Sequence, residues 1–221
     1  MVNKLLTSNI EAIFSILAEI LPDPKTELVY TNNYTLLVAI VLSAQSTDVG
    51  VNKATKDLFA QTSTPEEMLK LGESALKQYI KTIGLYNTKA KNIIKLSEIL
   101  VQKFGSKIPE NLEDLMSLPG VGRKTANVFL NCACNLPTIA VDTHVARLSF
   151  RLGLTAHKDP YKIEQDLLKV IPEKYLKDAH HLLILHGRYT CVARKPKCST
   201  CPLEAYCPKN GVRILESQQT Y

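Results

Sequence analysis

Four cysteines crowd into residues 191–207, and the segment that holds them has nothing else to fold around. Cys191 is followed after six residues by Cys198, after two more by Cys201 and after five more by Cys207. The stretch has no hydrophobic periodicity, and it carries Arg194, Lys195, Lys197 and two prolines. A segment this polar has no apolar core of its own, so a metal centre held by thiolates is the economical way to order it. Structural zinc sites usually bring two close cysteine pairs to a tetrahedron. Here only Cys198 and Cys201 form such a pair, and the irregular outer spacings suit a larger iron–sulfur cube as well, so spacing leaves zinc and iron–sulfur both open.

Disulfides are the other use of cysteine, and they belong to an oxidising compartment. Met1 to Pro22 carries Lys4, Glu11 and Glu19 and lacks the compact apolar run of a secretion signal. The longest apolar run, Leu36 to Leu42, is far short of the roughly 20 residues a bilayer span needs. The expectation is a cytoplasmic protein with reduced thiols and no membrane partner. Lys and Arg number 27 against 21 Asp and Glu, a net charge of +6. That excess suits a polyanion but also fits many ordinary enzymes. The loop Val192 to Lys197, pinned at both ends by cysteines, reads either as a basic finger for phosphates or as a plain solvated loop.

The rest of the chain has helical periodicity. Ile10, Ile13, Phe14, Leu17 and Leu21 make one stripe that stops at Pro22. Leu36, Leu37, Ile40 and Val41 make a second, and Val51, Ala54, Leu58 and Phe59 a third. Leu76, Tyr79, Ile80 and Ile83 run to Gly84, which is expected to cap that helix. Ala90 to Phe104 is the longest pattern and ends at Gly105. Further helices are expected around Leu112–Met116, Arg123–Cys134, from Asp142 onward, around Ile163–Leu168 and around Leu176–His186. The fold class is all-α, built from short helices and short loops.

Between two of these helices lies Leu118-Pro119-Gly120-Val121-Gly122-Arg123-Lys124. Two glycines two residues apart allow a tight turn whose N–H groups point outward ahead of a helix N-terminus, a cradle for a phosphate. A bare helix–helix turn is the alternative. Lys124 falls in the first helical turn, where the dipole disfavours a cation. The dipole and partial burial would favour a neutral, nucleophilic amine there. Asp142, in Val141-Asp142-Thr143-His144, is a good helix N-cap. A carboxylate fixed in that way is also ionised and pre-oriented for catalysis.

Together, Gly84-Leu85-Tyr86-Asn87, Leu118 to Asn127, Val141 to His144, His186 to Cys191 and the four-cysteine tail resemble the endonuclease III family of bifunctional DNA glycosylase/AP lyases. That family belongs to the wider helix-hairpin-helix glycosylase superfamily. The resemblance runs from about residue 5 to Cys207 and rests on five motifs in one order. It implies two helical domains flanking a DNA-binding cleft. One is a six-helix barrel over 26–136 with the helix-hairpin-helix at about 111–135; the other is a discontinuous domain of 1–25 plus 137–221.

The resemblance further implies a [4Fe–4S] cluster on Cys191, Cys198, Cys201 and Cys207. Lys124 matches the family's nucleophile and Asp142 its aspartate. Gln45, Leu85 and His144 match residues near the flipped base. Leu118, Gly120, Gly122, Arg123, Arg194, Lys195 and Lys197 are the expected DNA contacts. The implied activity is removal of oxidised or ring-saturated pyrimidines from duplex DNA, then strand cleavage by β-elimination through a lysine Schiff base. A monomer in the cytoplasm, associated with the nucleoid, is expected. Lys124 and the 221-residue length argue against the adenine-removing branch of the superfamily. Two other classes stand beside the enzyme: a helix-hairpin-helix binding module without chemistry, and a small iron–sulfur electron carrier. Cys132 and Cys134 are read as small buried side chains.

Overall fold

The computed structural model describes residues 7–212, and every regular element among them is helical. Gln218 to Tyr221, which carry no role at the sequence level, lie outside the described residues. Among the described residues no helix is long and apolar enough to cross a membrane. The chain divides into two compact units, Lys25–Thr138 and the residues on either side of it.

The central unit is built on α2 (Asn33–Ser43). Asn32 accepts from the Thr35 N–H while the Thr35 hydroxyl takes the Asn32 N–H, a reciprocal cap that fixes where the helix starts. Every residue from Tyr34 to Leu42 is buried, which is why the sequence there is apolar without a polar face. Against it pack α3 (Asp48–Gln61), α5 (Tyr86–Phe104) and α7 (Arg123–Cys134), with α4 (Pro65–Ile80) laid on α3 and α5 and α6 (Leu112–Met116) on α7. The buried Tyr34 hydroxyl meets Ser97 Oγ at 2.7 Å and ties α2 to α5.

Two details depart from expectation. The helix before Gly84 ends at Ile80, so Gly84 does not cap it and lies in the following turn. That helix also starts far earlier than its apolar stripe, at Pro65, behind a Thr64–Glu67 capping box. Gly72 interrupts it with φ 80° and ψ 162°, which breaks the stripe into two pieces too short to read as one helix.

In the flanking unit α1 (Thr7–Ile20) buries Ile10, Ile13, Phe14 and Leu17 in a core shared with Ala179, Leu182 and Leu183 of α10 (Glu173–Tyr189). Phe14 and Tyr175 stack with centroids 5.9 Å apart. Each fully buried Leu, Ile or Phe here contributes about 1.5–3 kcal/mol. Between these helices in sequence run α8 (Thr143–Arg151) and α9 (Pro160–Val170). The cysteine segment adds two short 3-10 turns, and its Leu203 is buried in the same core.

Candidate functional site

In the central unit the hairpin of α6 and α7 turns at Gly120, whose φ is +81°. A Cβ there would stand 3.0 Å from Asn92 Nδ2 and 3.1 Å from Asn92 Cβ, so both backbone and packing favour glycine. Gly122 differs. Its φ of −88° suits any residue, and a Cβ would meet nothing within 4 Å. Nothing inside the protein demands glycine at 122, whereas a backbone approaching from outside would. Among the described residues the N–H groups of Gly120 and Gly122 have no protein acceptor. Leu118 is different from the expected contact: its side chain is 2% exposed, its N–H bonds Leu115 O and its carbonyl takes the Val121 N–H. Leu118 therefore supports the turn from inside.

Behind the turn Arg123 is half-buried and Lys124 is exposed in the first turn of α7. The partial burial expected of Lys124 is not found. Cys132 and Cys134, expected to be buried, are half-buried; burial still pushes the Cys132 thiol up to about 12. Elsewhere in this unit Gln45 and Leu85 are both exposed, Leu85 at 61%. Both adopt left-handed backbone, φ 55° and φ 59°, a strained choice for side chains of their kind. Their turns adjoin, since a Cβ on Gly84 would lie 3.8 Å from Gln45 O.

In the flanking unit Asp142 is the N-cap of α8. Its Oδ1 accepts from the N–H groups of His144 and Val145, each at 2.8 Å. Both bonds fall on one oxygen, and Oδ2 takes none among the described residues. His144 is half-buried one turn ahead of Arg147, whose Nη2 lies 3.3 Å from His144 Nδ1. A guanidinium only donates, so Nδ1 accepts and a neutral His144 carries its proton on Nε2. The same Nη2 donates to Gly187 O at 2.6 Å, and Nε donates to Cys191 O at 3.2 Å. A Cβ on Gly187 would come within 3.2 Å of His144, so glycine eases the close crossing of α8 and α10.

Cys191, Cys198, Cys201 and Cys207 line one recess with Leu148, Leu152 and Leu203. All four thiols are free. Among the described residues no three His, Cys, Asp or Glu side chains converge as the ligands of a single ion would. Donors face the sulfurs: Arg151 Nη1 lies 3.3 Å from Cys191 Sγ, and the Lys209 N–H lies 3.4 Å from Cys207 Sγ. Burial pushes the Cys201 and Cys207 thiols up. A positive centre would repay that by binding them as thiolates. The donor set fits an iron–sulfur cluster, with N–H groups supplied to the thiolates and apolar walls around them. Arg151, 8% exposed, also donates to the carbonyls of Cys191, Val192 and Ala193. Beyond that inner clamp Arg194, Lys195 and Lys197 are all exposed, with Lys195 in left-handed backbone. Sequence reading missed Arg147 and Arg151. The available signal was a pair of arginines four apart on a helix face otherwise turned to the core.

Comparison with known proteins agrees with this geometry. Residues 38–173 match the HhH-GPD superfamily of base excision DNA repair proteins, and residues 191–207 match the iron–sulfur binding domain of endonuclease III. Endonuclease III of Rickettsia conorii is 56% identical over 198 residues, which are 90% of this chain and 94% of that protein. Two solved structures, a non-covalent endonuclease III–DNA complex and a trapped endonuclease III–DNA covalent intermediate, superpose with TM-scores of 0.88 and 0.87. Each is 44% identical and covers 93% of this chain and 97% of its own. The chain belongs to the HhH-GPD superfamily of base excision DNA repair proteins, on its endonuclease III branch with the iron–sulfur binding domain.

Proposed function

We propose that this protein removes oxidised or ring-saturated pyrimidines from duplex DNA and cuts the strand at the abasic site it creates, with Lys124 as nucleophile. The observation that carries the reading is the exposed Lys124 directly behind the Gly120 and Gly122 N–H groups, which have no protein acceptor among the described residues. A nucleophile stands beside a cradle for the phosphate that flanks its target.

A damaged pyrimidine stacks poorly, so extruding it costs less than extruding an intact base. Leu85 and Gln45 enter the duplex and fill the space left behind. Arg123, Arg194, Lys195, Lys197 and the glycine turn hold the phosphates of the bent DNA. His144, oriented by Arg147, lies against the extruded nucleotide. The Asp142 carboxylate favours loss of a proton from the Lys124 ammonium, directly or through water, and its charge offsets the positive charge that grows at C1′. Lys124 Nζ then bonds to C1′, and the C1′–N bond breaks with the electron pair leaving on the base, which takes up the proton that Lys124 lost. Opening of the sugar at O4′ yields the imine. Loss of a C2′ proton expels the 3′ phosphate and cuts the strand, and water hydrolyses the imine to free Lys124. A [4Fe–4S] cluster bound on Cys191, Cys198, Cys201 and Cys207 supplies a cross-link that stiffens the basic loop. The protein acts as a monomer on DNA in the cytoplasm, at the nucleoid.

Borohydride trapping on a duplex with one thymine glycol tests the reading. Wild type should give a covalent protein–DNA band, and Lys124→Ala should give none while still binding the duplex. A band of wild-type yield from Lys124→Ala would end the assignment of the nucleophile. Binding without a band or a cut, with the cluster loaded, would leave the helix-hairpin-helix as a binding module.

A further inference from the structure

Lys89 is a buried cation that the chemistry above does not use. It lies on α5, one turn before Ile93, on the stripe that continues through Leu96 and Leu100 into the core, and it is 5% exposed. An ammonium at such a position loses its hydration, and burial pushes its pKa down. Among the described residues no carboxylate compensates it. Its two partners are Leu42 O and Ser46 Oγ, each at 2.9 Å. A core built for stability alone would place an apolar side chain here.

Those partners flank Gln45 on both sides. Leu42 is in the last turn of α2, three residues before it, and Ser46 follows it. At its other end Lys89 is anchored to the second exposed turn, because its N–H bonds Leu85 O at 3.0 Å. Leu85 has no side-chain cap for α5, and both Leu85 and Gln45 are held in left-handed backbone. A strained conformation persists only where its surroundings over-determine it. Lys89 thus touches both turns, its ammonium bonding the residues on either side of Gln45 and its backbone N–H bonding Leu85 O.

We propose that Lys89 is a positioning residue for base extrusion: its ammonium ties the Gln45 turn to the helix that opens at Leu85, so that both exposed side chains enter the duplex as one rigid pair. The proposal rests on the roles given above to Gln45 and Leu85. It separates cleanly from the chemistry at Lys124, because extrusion precedes that chemistry and can be followed without it.

The test uses cluster-loaded, full-length wild type, Lys89→Met, Lys89→Arg and Ser46→Ala. Extrusion is read from the fluorescence of a 2-aminopurine stacked beside a thymine glycol, which rises when the neighbouring base leaves the stack. Lys89→Met should lose most of the wild-type rise, and Ser46→Ala, which keeps the bond to Leu42 O, should lose part of it. Lys89→Arg should recover some of the signal. Single-turnover base removal by Lys89→Met should fall about tenfold or more, whereas cutting of a preformed abasic site, with no base to extrude, should stay within about twofold. A duplex lacking the base opposite the lesion should shrink the defect, since the unpaired lesion leaves the stack at less cost. A full fluorescence rise in both Lys89→Met and Ser46→Ala would overturn the proposal. So would an equal loss on the lesion and on the preformed abasic site, because that is the signature of general damage to the fold. If wild type extrudes the base but never cuts, the reading of Lys124 fails while the fluorescence still decides the role of Lys89.

Discussion

Arg151 reaches the sulfur of Cys191: Nη1 stands 3.3 Å from Sγ, and the same guanidinium donates to Val192 O at 2.7 Å and Ala193 O at 3.0 Å. One side chain therefore faces the first cysteine and also braces the start of the basic loop. Charged hydrogen bonds of this kind are worth about 1.5–3 kcal/mol each, and less when they share a donor group. Arg151→Met keeps much of the volume and removes the donors. The purified variant should lose its visible cluster absorbance in air faster than wild type. Its affinity for DNA should fall as well, because Lys195 and Lys197 are no longer held in place. Unchanged cluster decay would show that the contact to Cys191 is incidental.

Asp142 has two separable duties. Its Oδ1 caps α8 through His144 and Val145, and its charge is assigned to the chemistry. Asn keeps an oxygen in the capping position and loses the charge; Ala loses both. Asp142→Asn should therefore melt close to wild type, whereas Asp142→Ala should lose about 0.5–2 kcal/mol of stability. Base removal should fall to a similar low level in both. If Asp142→Asn works at the wild-type rate, the cap is the whole contribution of Asp142.

How much of this could be read from the sequence depends on whether the signal is local. The stripe Ile10, Ile13, Phe14 and Leu17, the left-handed cap at Gly105 and the cap at Asp142 follow from spacing and residue type within one turn. Pro65–Leu71 was hidden because Gly72 breaks the period, and Gly84 misled because a glycine after a stripe usually ends a helix. The bonds of Lys89, Arg147 and Arg151 were hidden for another reason. Their partners are mainly backbone carbonyls about 40 residues away, at Leu42, Gly187 and Cys191. A backbone carbonyl has no residue identity, so no complementary charge in the sequence announces the bond. Leu118 shows the converse: a residue inside a strong motif whose side chain and backbone are both spent on the protein's own turn.

Gly120 carries two penalties that can be separated. Its φ of +81° costs an alanine about 1–2 kcal/mol. The Asn92 side chain, 3.0 Å from where a Cβ would stand, adds a steric cost. Gly120→Ala should lower the melting temperature, and adding Asn92→Ala should return only the part of the steric cost due to the amide, since Cβ of residue 92 still stands 3.1 Å away. Full recovery in the double variant would mean that the backbone accepts alanine without strain. Gly122→Ala, with ordinary φ and open space around its Cβ, should leave stability near wild type and weaken DNA binding.

Lys195 and Lys197 stand exposed on the loop that Arg151 braces, and neither is bonded to a carboxylate among the described residues. Each that meets a phosphate releases condensed counterions on binding, so the logarithm of the affinity falls with the logarithm of salt by about 0.9 per contact. Changing both to alanine should lower that slope by up to about two and weaken binding to damaged and undamaged duplex alike. The variant's relative preference for the lesion should hold, since these residues read the backbone rather than the base. A titration of fluorescent duplex over a range of salt concentrations checks both points. A slope equal to wild type would place the phosphates on a different surface of the protein. A loss confined to the damaged duplex would make the loop part of lesion recognition.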